Sequence, residues 1–252
     1  CTVLKKSGWP GKKEHTILKE VHNQTLQAII ERLKKNYKNF FKGAGYPKWA
    51  SKKRWKSIPF KSIKTTHNAF KLPSFGVVKV FKFKEPKGDL KTATIIKEAD
   101  GLYLKIVVDE YNSKVRNRDS QSVVALDMGI KFFTVTSDGE FVENPKHLFK
   151  HLAELRVQQR KLSRMKKGGK NWNKQLIVVQ RLHLKVKRCR LDFLQKQSTL
   201  LSNNYETVIV EDLNIKGMSK NKRLSKHILD CGWGIFFSLL EYKTNVIKVS
   251  PR

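Results

Sequence analysis

The spacing of apolar positions changes character several times along the chain. From about Thr16 to Lys42, Leu26, Ile29, Ile30, Leu33, Tyr37, Phe40 and Phe41 recur at three and four, which predicts an amphipathic helix ended by Gly43 and Gly45. Short runs rich in β-branched and aromatic residues follow at Val77 to Phe83, Thr92 to Ile96 and Leu102 to Val108. Pro73, Gly76, Pro86 to Asp89 and Ala99 to Gly101 bound them, which predicts antiparallel strands of a small barrel or sheet. Residues 111 to 122 are polar and unpatterned and read as a linker.

A second module follows. Val123 to Leu126 is a continuous apolar run, expected to form a strand covered on both faces, and it leads into Asp127. Phe132 to Ser137, a turn at Asp138-Gly139 and Phe141-Val142 predict a hairpin. Residues 144 to 204 are helical in pattern, with Leu148, Leu152, Leu155 and Leu162 in one arm and Val179, Leu182, Val186, Phe193 and Leu200 in the other. The break at Lys167-Gly168-Gly169-Lys170 predicts that the arms fold back as a helical hairpin. Thr207 to Val210 is a further buried-type strand ending in Glu211-Asp212, and Leu229 to Thr244 predicts one helix entered through Gly232 and Gly234.

Charge alters this picture more than composition does. Across 252 residues, 53 Lys and Arg face 21 Asp and Glu, leaving +32, a balance that calls for a polyanionic partner. The cations run the whole length and no apolar run nears the roughly 20 residues of a spanning helix, so a membrane is not expected as the partner. Two basic regions stand out. Lys52, Lys53, Arg54 and Lys56 are interleaved with Trp49, Trp55 and Phe60, a pattern that suits either phosphate and base contact or a solvated loop. Between Glu154 and Asp192 there is no acid at all. Arg156, Arg160, Lys161, Arg164, Lys166, Lys167, Lys170, Arg181, Arg188 and Arg190 lie there, and such an unrelieved run predicts duplex binding.

The candidate chemistry rests on few residues. Asp127 and Glu211 each stand at the end of an apolar strand, and on neighbouring strands they would converge on hard divalent cations, the arrangement that phosphodiester cleavage by two metal ions requires. By spacing alone Asp127 also suits a cap or turn, and Glu211 competes with Asp212. His147 and His151 have metal-helix spacing without the glutamate of HExxH, and Gly168-Gly169-Lys170 lacks the rest of a P-loop. Cys1, Cys189 and Cys231 form no CxxC pair, so neither a disulfide framework nor a zinc site is expected here, and an intracellular compartment fits.

Several motifs in order carry a family resemblance. Ala125 to Val135, with Ser137-Asp138-Gly139 and Glu143 to Lys146 behind it, resembles the first RuvC motif of the TnpB (OrfB) family of transposon-encoded RNA-guided DNA endonucleases, relatives of the compact type V CRISPR effectors. Leu162-Ser163-Arg164, Lys166-Lys167-Gly168 and Arg190 to Leu194 are similar to its basic hairpin, and Val210 to Met218 to its second acidic motif. Asp230 to Gly234 and Leu240 to Lys243 match the segment beyond, while Tyr37 to Phe41 and Lys71-Leu72-Pro73 fit upstream.

The resemblance implies an α/β plus α+β chain in three parts: a helical recognition segment over 1–45, a β-barrel-like, strand-rich wedge and linker over 46–122, and an RNase H-like RuvC domain over 123–252 with the hairpin 144–204 inserted. It further implies Asp127 and Glu211 as catalytic, metal-binding acids for Mg2+ or Mn2+, a transposon-encoded guide RNA and target double-stranded DNA as partners, and a prokaryotic cytoplasmic, nucleoid-associated setting. The family's third catalytic Asp and its four-cysteine zinc segment would lie beyond the end of this sequence, both ends of which look cut. The implied activity is endonuclease cleavage, with the covered residues alone not expected to cut; the alternative is a cleavage-dead, RNA-guided DNA-binding repressor.

Overall fold

A computed structural model describes residues 23–48, 56–61, 63–66, 68–73, 75–81, 83, 85–109 and 122–250. Contacts within the chain divide it into two compact units, residues 1–113 and 114–252.

In the first unit, helix α1 (Asn23–Phe40) is followed by six strands: β1 (Ser57–Lys61), β2 (Lys64–Thr66), β3 (Ala69–Leu72), β4 (Gly76–Lys79), β5 (Asp89–Lys97) and β6 (Leu102–Asp109). They form two three-stranded antiparallel sheets, β1-β5-β6 and β2-β3-β4. Phe60 and Ala93 from one sheet and Phe70 and Leu72 from the other bury together in a single cluster. α1 is tied to β1 by Lys61 Nζ donating to Glu31 at 2.9 and 3.0 Å and by Arg32 donating to Ser57 Oγ at 3.4 Å. β1 lies in the basic stretch whose spacing suits either phosphate and base contact or a solvated loop and marks no strand. Pro59 there cannot donate to a ladder, so the strand is tolerated because it occupies the sheet edge, pairing with β5 alone. The expected helix residues Thr16 to His22 and the linker from Tyr111 lie outside the described residues.

The second unit is built on a five-stranded sheet of order β11-β10-β7-β8-β9, with β7 (Val123–Met128), β8 (Phe132–Thr136), β9 (Phe141–Glu143), β10 (Thr207–Glu211) and β11 (Asn245–Val249). β7, β8 and β9 are antiparallel neighbours, and β10 and β11 run parallel to β7. Two long helices, α2 (His147–Ser163) and α3 (Lys170–Asn204), separate β9 from β10, and the short helices α4 (Ile215–Met218), α5 (Ser225–Cys231) and α6 (Trp233–Glu241) precede β11.

The core sits on one face of this sheet. Val124, Leu126, Val208 and Val210 bury against Leu194 and Leu201 of α3, Ile228 of α5 and Trp233, Phe236 and Leu240 of α6. Phe133 meets Phe193 and Phe236 edge-on at centroid distances of 5.0 and 4.9 Å. β7 alternates between exposed and buried positions, contrary to the two-sided burial its continuous apolar run suggests. Val123 and Ala125 point away from the helices that cover Val124 and Leu126. The single helix expected from Leu229 to Thr244 is two helices, broken at Gly232, which adopts φ 72°. A Cβ there would lie 3.1 Å from Arg190 Cδ and 3.2 Å from Leu194 Cδ1, so glycine also permits the close approach of α3.

Candidate catalytic acids and nucleic-acid interface

Asp127 and Glu211 are brought together by strand register. β7 and β10 pair in parallel with Val124 opposite Val208 and Leu126 opposite Val210, and the next position on each strand is Asp127 and Glu211. Because side chains alternate across a strand, burial of Leu126 and Val210 turns both acids to the opposite, exposed face. Neighbouring strands lie about 4.8 Å apart, so two carboxylates in adjacent register can share one cation. Asp212 lies past the end of β10, where its amide donates to Val249 O at 2.9 Å and its charge acts on Lys248. Glu211, rather than Asp212, is therefore the strand neighbour of Asp127.

The turn after Asp127 is fixed by Gly129. Its amide donates to Phe133 O at 3.3 Å, and a Cβ on it would lie 2.8 Å from the Phe132 carbonyl oxygen, so no side chain fits without moving the backbone. This tight reversal returns the chain into β8, where Val135 pairs with Asp127 on the side away from Glu211.

The hairpin carries the cations outward. Leu155 of α2 and Gln175, Val179 and Val186 of α3 are buried along its length, and Gln175 Nε2 donates to Gln158 O at 3.2 Å and to its Oε1 at 2.8 Å. Arg156, Arg160, Lys161, Arg164, Lys166, Lys167, Lys170, Arg181 and Arg188 are all exposed. Gly168, at φ 85°, makes the turn, which concentrates Arg164, Lys166, Lys167 and Lys170 at one tip. α3 spans 35 residues and thus about 52 Å, which gives the basic surface a long support.

Arg190 differs from the other cations of the hairpin. Its Nη2 lies 2.6 Å from Asp230 Oδ1, with the arginine side chain 21% and the aspartate 3% exposed. Asp230 also accepts from the amide of Leu148 at 3.1 and 2.9 Å, and so closes the N-terminus of α2, whose preceding residue Lys146 offers no side-chain cap. One buried carboxylate on α5 thereby holds both arms of the hairpin. The sequence signal was available: Asp230 is an acid set between apolar Leu229 and the Cys231-Gly232-Trp233 core segment, a place that suits a carboxylate only when it is paired.

Other sequence candidates fall outside the pair. His151 lies 4.0 Å from Glu154, and His147 is partly buried, with burial lowering its pKa below the ordinary 6.5 while Asp230 opposes the shift. Burial pushes the Cys231 thiol up to about 11, which suits an inert core thiol rather than a metal ligand. Among the described residues no group of three or more His, Cys, Asp or Glu could hold a metal, so the acids at 127 and 211 stand as a pair. Lys56 is exposed, whereas Lys52, Lys53 and Arg54 lie outside the described residues. Among the described residues no helix is long and apolar enough to cross a membrane.

Comparison with known proteins bears on this arrangement. Residues 105–222 match the family OrfB_IS605, "Probable transposase". A protein of Streptomyces pristinaespiralis named as a candidate RNA-guided DNA endonuclease is 31% identical over 93% of this chain and 60% of its own length. InsQ of Escherichia coli, named in the same way, is 30% identical over 93% of this chain and 63% of its own. The chain thus spans about three fifths of the length of these relatives. A solved structure of a Cas12f1–sgRNA–target DNA complex aligns with 88% of this chain and 60% of its own, at 14% identity and a TM-score of 0.48. With residues 105–222 matching that family and 93% of its length aligning with each of the two bacterial proteins, the chain is a relative of the TnpB (OrfB) family.

Proposed function

We propose that the chain is the nucleic-acid-holding and RuvC-type nuclease portion of an RNA-guided endonuclease that cuts double-stranded DNA, with Asp127 and Glu211 as its catalytic acids. The observation that carries the reading is the placement of these two carboxylates on adjacent parallel strands, exposed on the face opposite the core. A sheet of three antiparallel strands extended by two parallel ones, with the acids at the end of the central pair, supports an RNase H-like domain. The names of the relatives support guide RNA and target DNA as partners.

The donor set fits a hard cation: two carboxylates, solvent-facing, with no thiol or imidazole alongside them on β7 or β10. Asp127 and Glu211 would hold magnesium or manganese, which supplies Lewis acidity at the scissile phosphodiester. The chain's own residues do the rest. Gly129 fixes the turn that positions Asp127, the core under Leu126 and Val210 keeps both acids on one face, and the exposed hairpin cations bind phosphates without reading sequence. Base pairing with the guide would then select the target while the protein recognises backbone shape.

The test is incubation of the full-length protein and its co-purified RNA with a matching plasmid and magnesium. Cutting that disappears in Asp127→Ala and in Glu211→Ala, with DNA binding retained, is the expected result. Undiminished cutting by either variant refutes the assignment of the acids, and wild-type binding without cutting points to the repressor reading.

A further inference from the structure

The end of α1 carries a cluster of aromatic side chains that the nuclease reading does not use. Phe41 is 81% and Tyr46 64% exposed, although large aromatic side chains normally seek burial. The cluster is nonetheless held in place. Phe41 N donates to Tyr37 O at 3.0 Å, Gly43 N to Phe40 O at 2.9 Å and Ala44 N to Asn39 O at 3.0 Å, with Gly43 in the left-handed region at φ 90°. Tyr46 returns against the helix, its ring 5.4 Å from that of Phe40 and 6.0 Å from that of Tyr37, and the two tyrosine hydroxyls lie 3.2 Å apart. A fixed set of rings is thus kept open to solvent rather than folded inward.

The charge around the cluster says what suits it. From Arg32 to Lys84 the chain contains no acidic residue. Lys34 and Lys38 are one helical turn apart, and their row lies about 100° around the helix from the row of Leu33 and Tyr37, so cations flank the rings along the axis. Lys42 and Lys48, both exposed, extend the same charge on either side of Tyr46 in sequence. Exposed aromatic faces beside cations, with no acid nearby, complement unpaired bases joined by phosphates. A duplex offers no such faces except at its ends, because its bases stack on one another.

Building on the nucleic-acid reading above, we propose that Phe41 and Tyr46 form a base-stacking platform for a single-stranded stretch of nucleic acid, with Lys38, Lys42 and Lys48 contacting its phosphates. The test uses the full chain, labelled oligo(U), oligo(dT) and an abasic oligomer of equal length, and fluorescence anisotropy across a salt series. Phe41→Leu and Tyr46→Leu, which keep apolar bulk and remove the ring, each weaken binding of a base-bearing strand by about 5- to 100-fold. They leave the abasic oligomer unaffected, and Phe41→Trp restores affinity. Loss on oligo(U) alone assigns the platform to RNA and loss on oligo(dT) alone to DNA. Lys38→Ala weakens all three probes and flattens the salt dependence.

Thermal melts of every variant accompany the titrations. Equal losses on the abasic oligomer, or unchanged binding by both leucine variants with an unchanged melting temperature, overturn the platform while leaving the nucleic-acid reading intact. Failure of the wild-type chain to bind any of the three probes at low salt overturns both.

Discussion

Single residues decide how well the two acids and the hairpin are held. Gly129→Ala places a methyl group within 2.8 Å of a backbone oxygen in the turn after Asp127. It should destabilise the protein by about 1–3 kcal/mol in urea unfolding and reduce cleavage more than DNA binding, because the strand end that moves carries the acid. Asp230→Ala strands Arg190 and opens the N-terminus of α2, for an expected cost of about 3–5 kcal/mol. Asp230→Asn keeps an acceptor and should cost less; equal costs would argue that the charge, and not the acceptor oxygen, carries the interaction. The place of Asp230 among apolar neighbours marks a carboxylate that needs a partner, but spacing does not say which one. Asp230 is paired across 40 residues with Arg190, and only the folded chain reveals that an arginine from a uniformly basic run is turned inward.

His147 sets a pH dependence at the same junction. Burial is the main cause of its lowered pKa, and Lys150, Arg190 and His151 act in the same direction. The unfolded chain therefore takes up this proton near pH 6.5 while the folded chain resists it to lower pH. Stability from this group is fully present above about pH 6.5 and is lost as pH falls toward the folded value. His147→Phe should remove that part of the slope in unfolding measured between neutral and mildly acidic pH.

At the scale of elements, the hairpin gives the sharpest contrast. Charge reversal at Arg164, Lys166 and Lys167 should weaken nucleic-acid binding and reduce the slope of log K against log salt, by about 0.7 to 0.9 for each phosphate that is no longer neutralised. Arg190→Lys should instead lower the unfolding free energy and leave the salt slope unchanged, because its guanidinium lies against Asp230. The periodic elements were the most legible ones. The β8–β9 hairpin, both arms of the basic hairpin and β10 lie close to where apolar spacing puts them, since each has a strong pattern bounded by Gly or Asn. β1 to β3 were hidden by Pro59 and dense lysines, which suppress the alternation that marks a strand. Gly232 was readable as an entry to a helix but not as a left-handed break within one, because that conformation follows from the close approach of α3.

Across the whole molecule, a net charge of +32 means that folding occurs against self-repulsion. The melting temperature should rise with salt and with a polyanion such as heparin, and scanning fluorimetry across a salt series checks this; a flat response would indicate that the cations are already neutralised within the fold. The account depends above all on Asp127 and Glu211 acting as one cation site, a proposal that rests on their neighbouring strand register, which no local pattern contains. Its most direct test is Mn2+ binding, followed by water-proton relaxation, in the wild-type chain, Asp127→Asn, Glu211→Gln and the double variant. If the two carboxylates share the ion, each single substitution should abolish as much affinity as both together. Losses that simply add, or binding that survives either change, would contradict it.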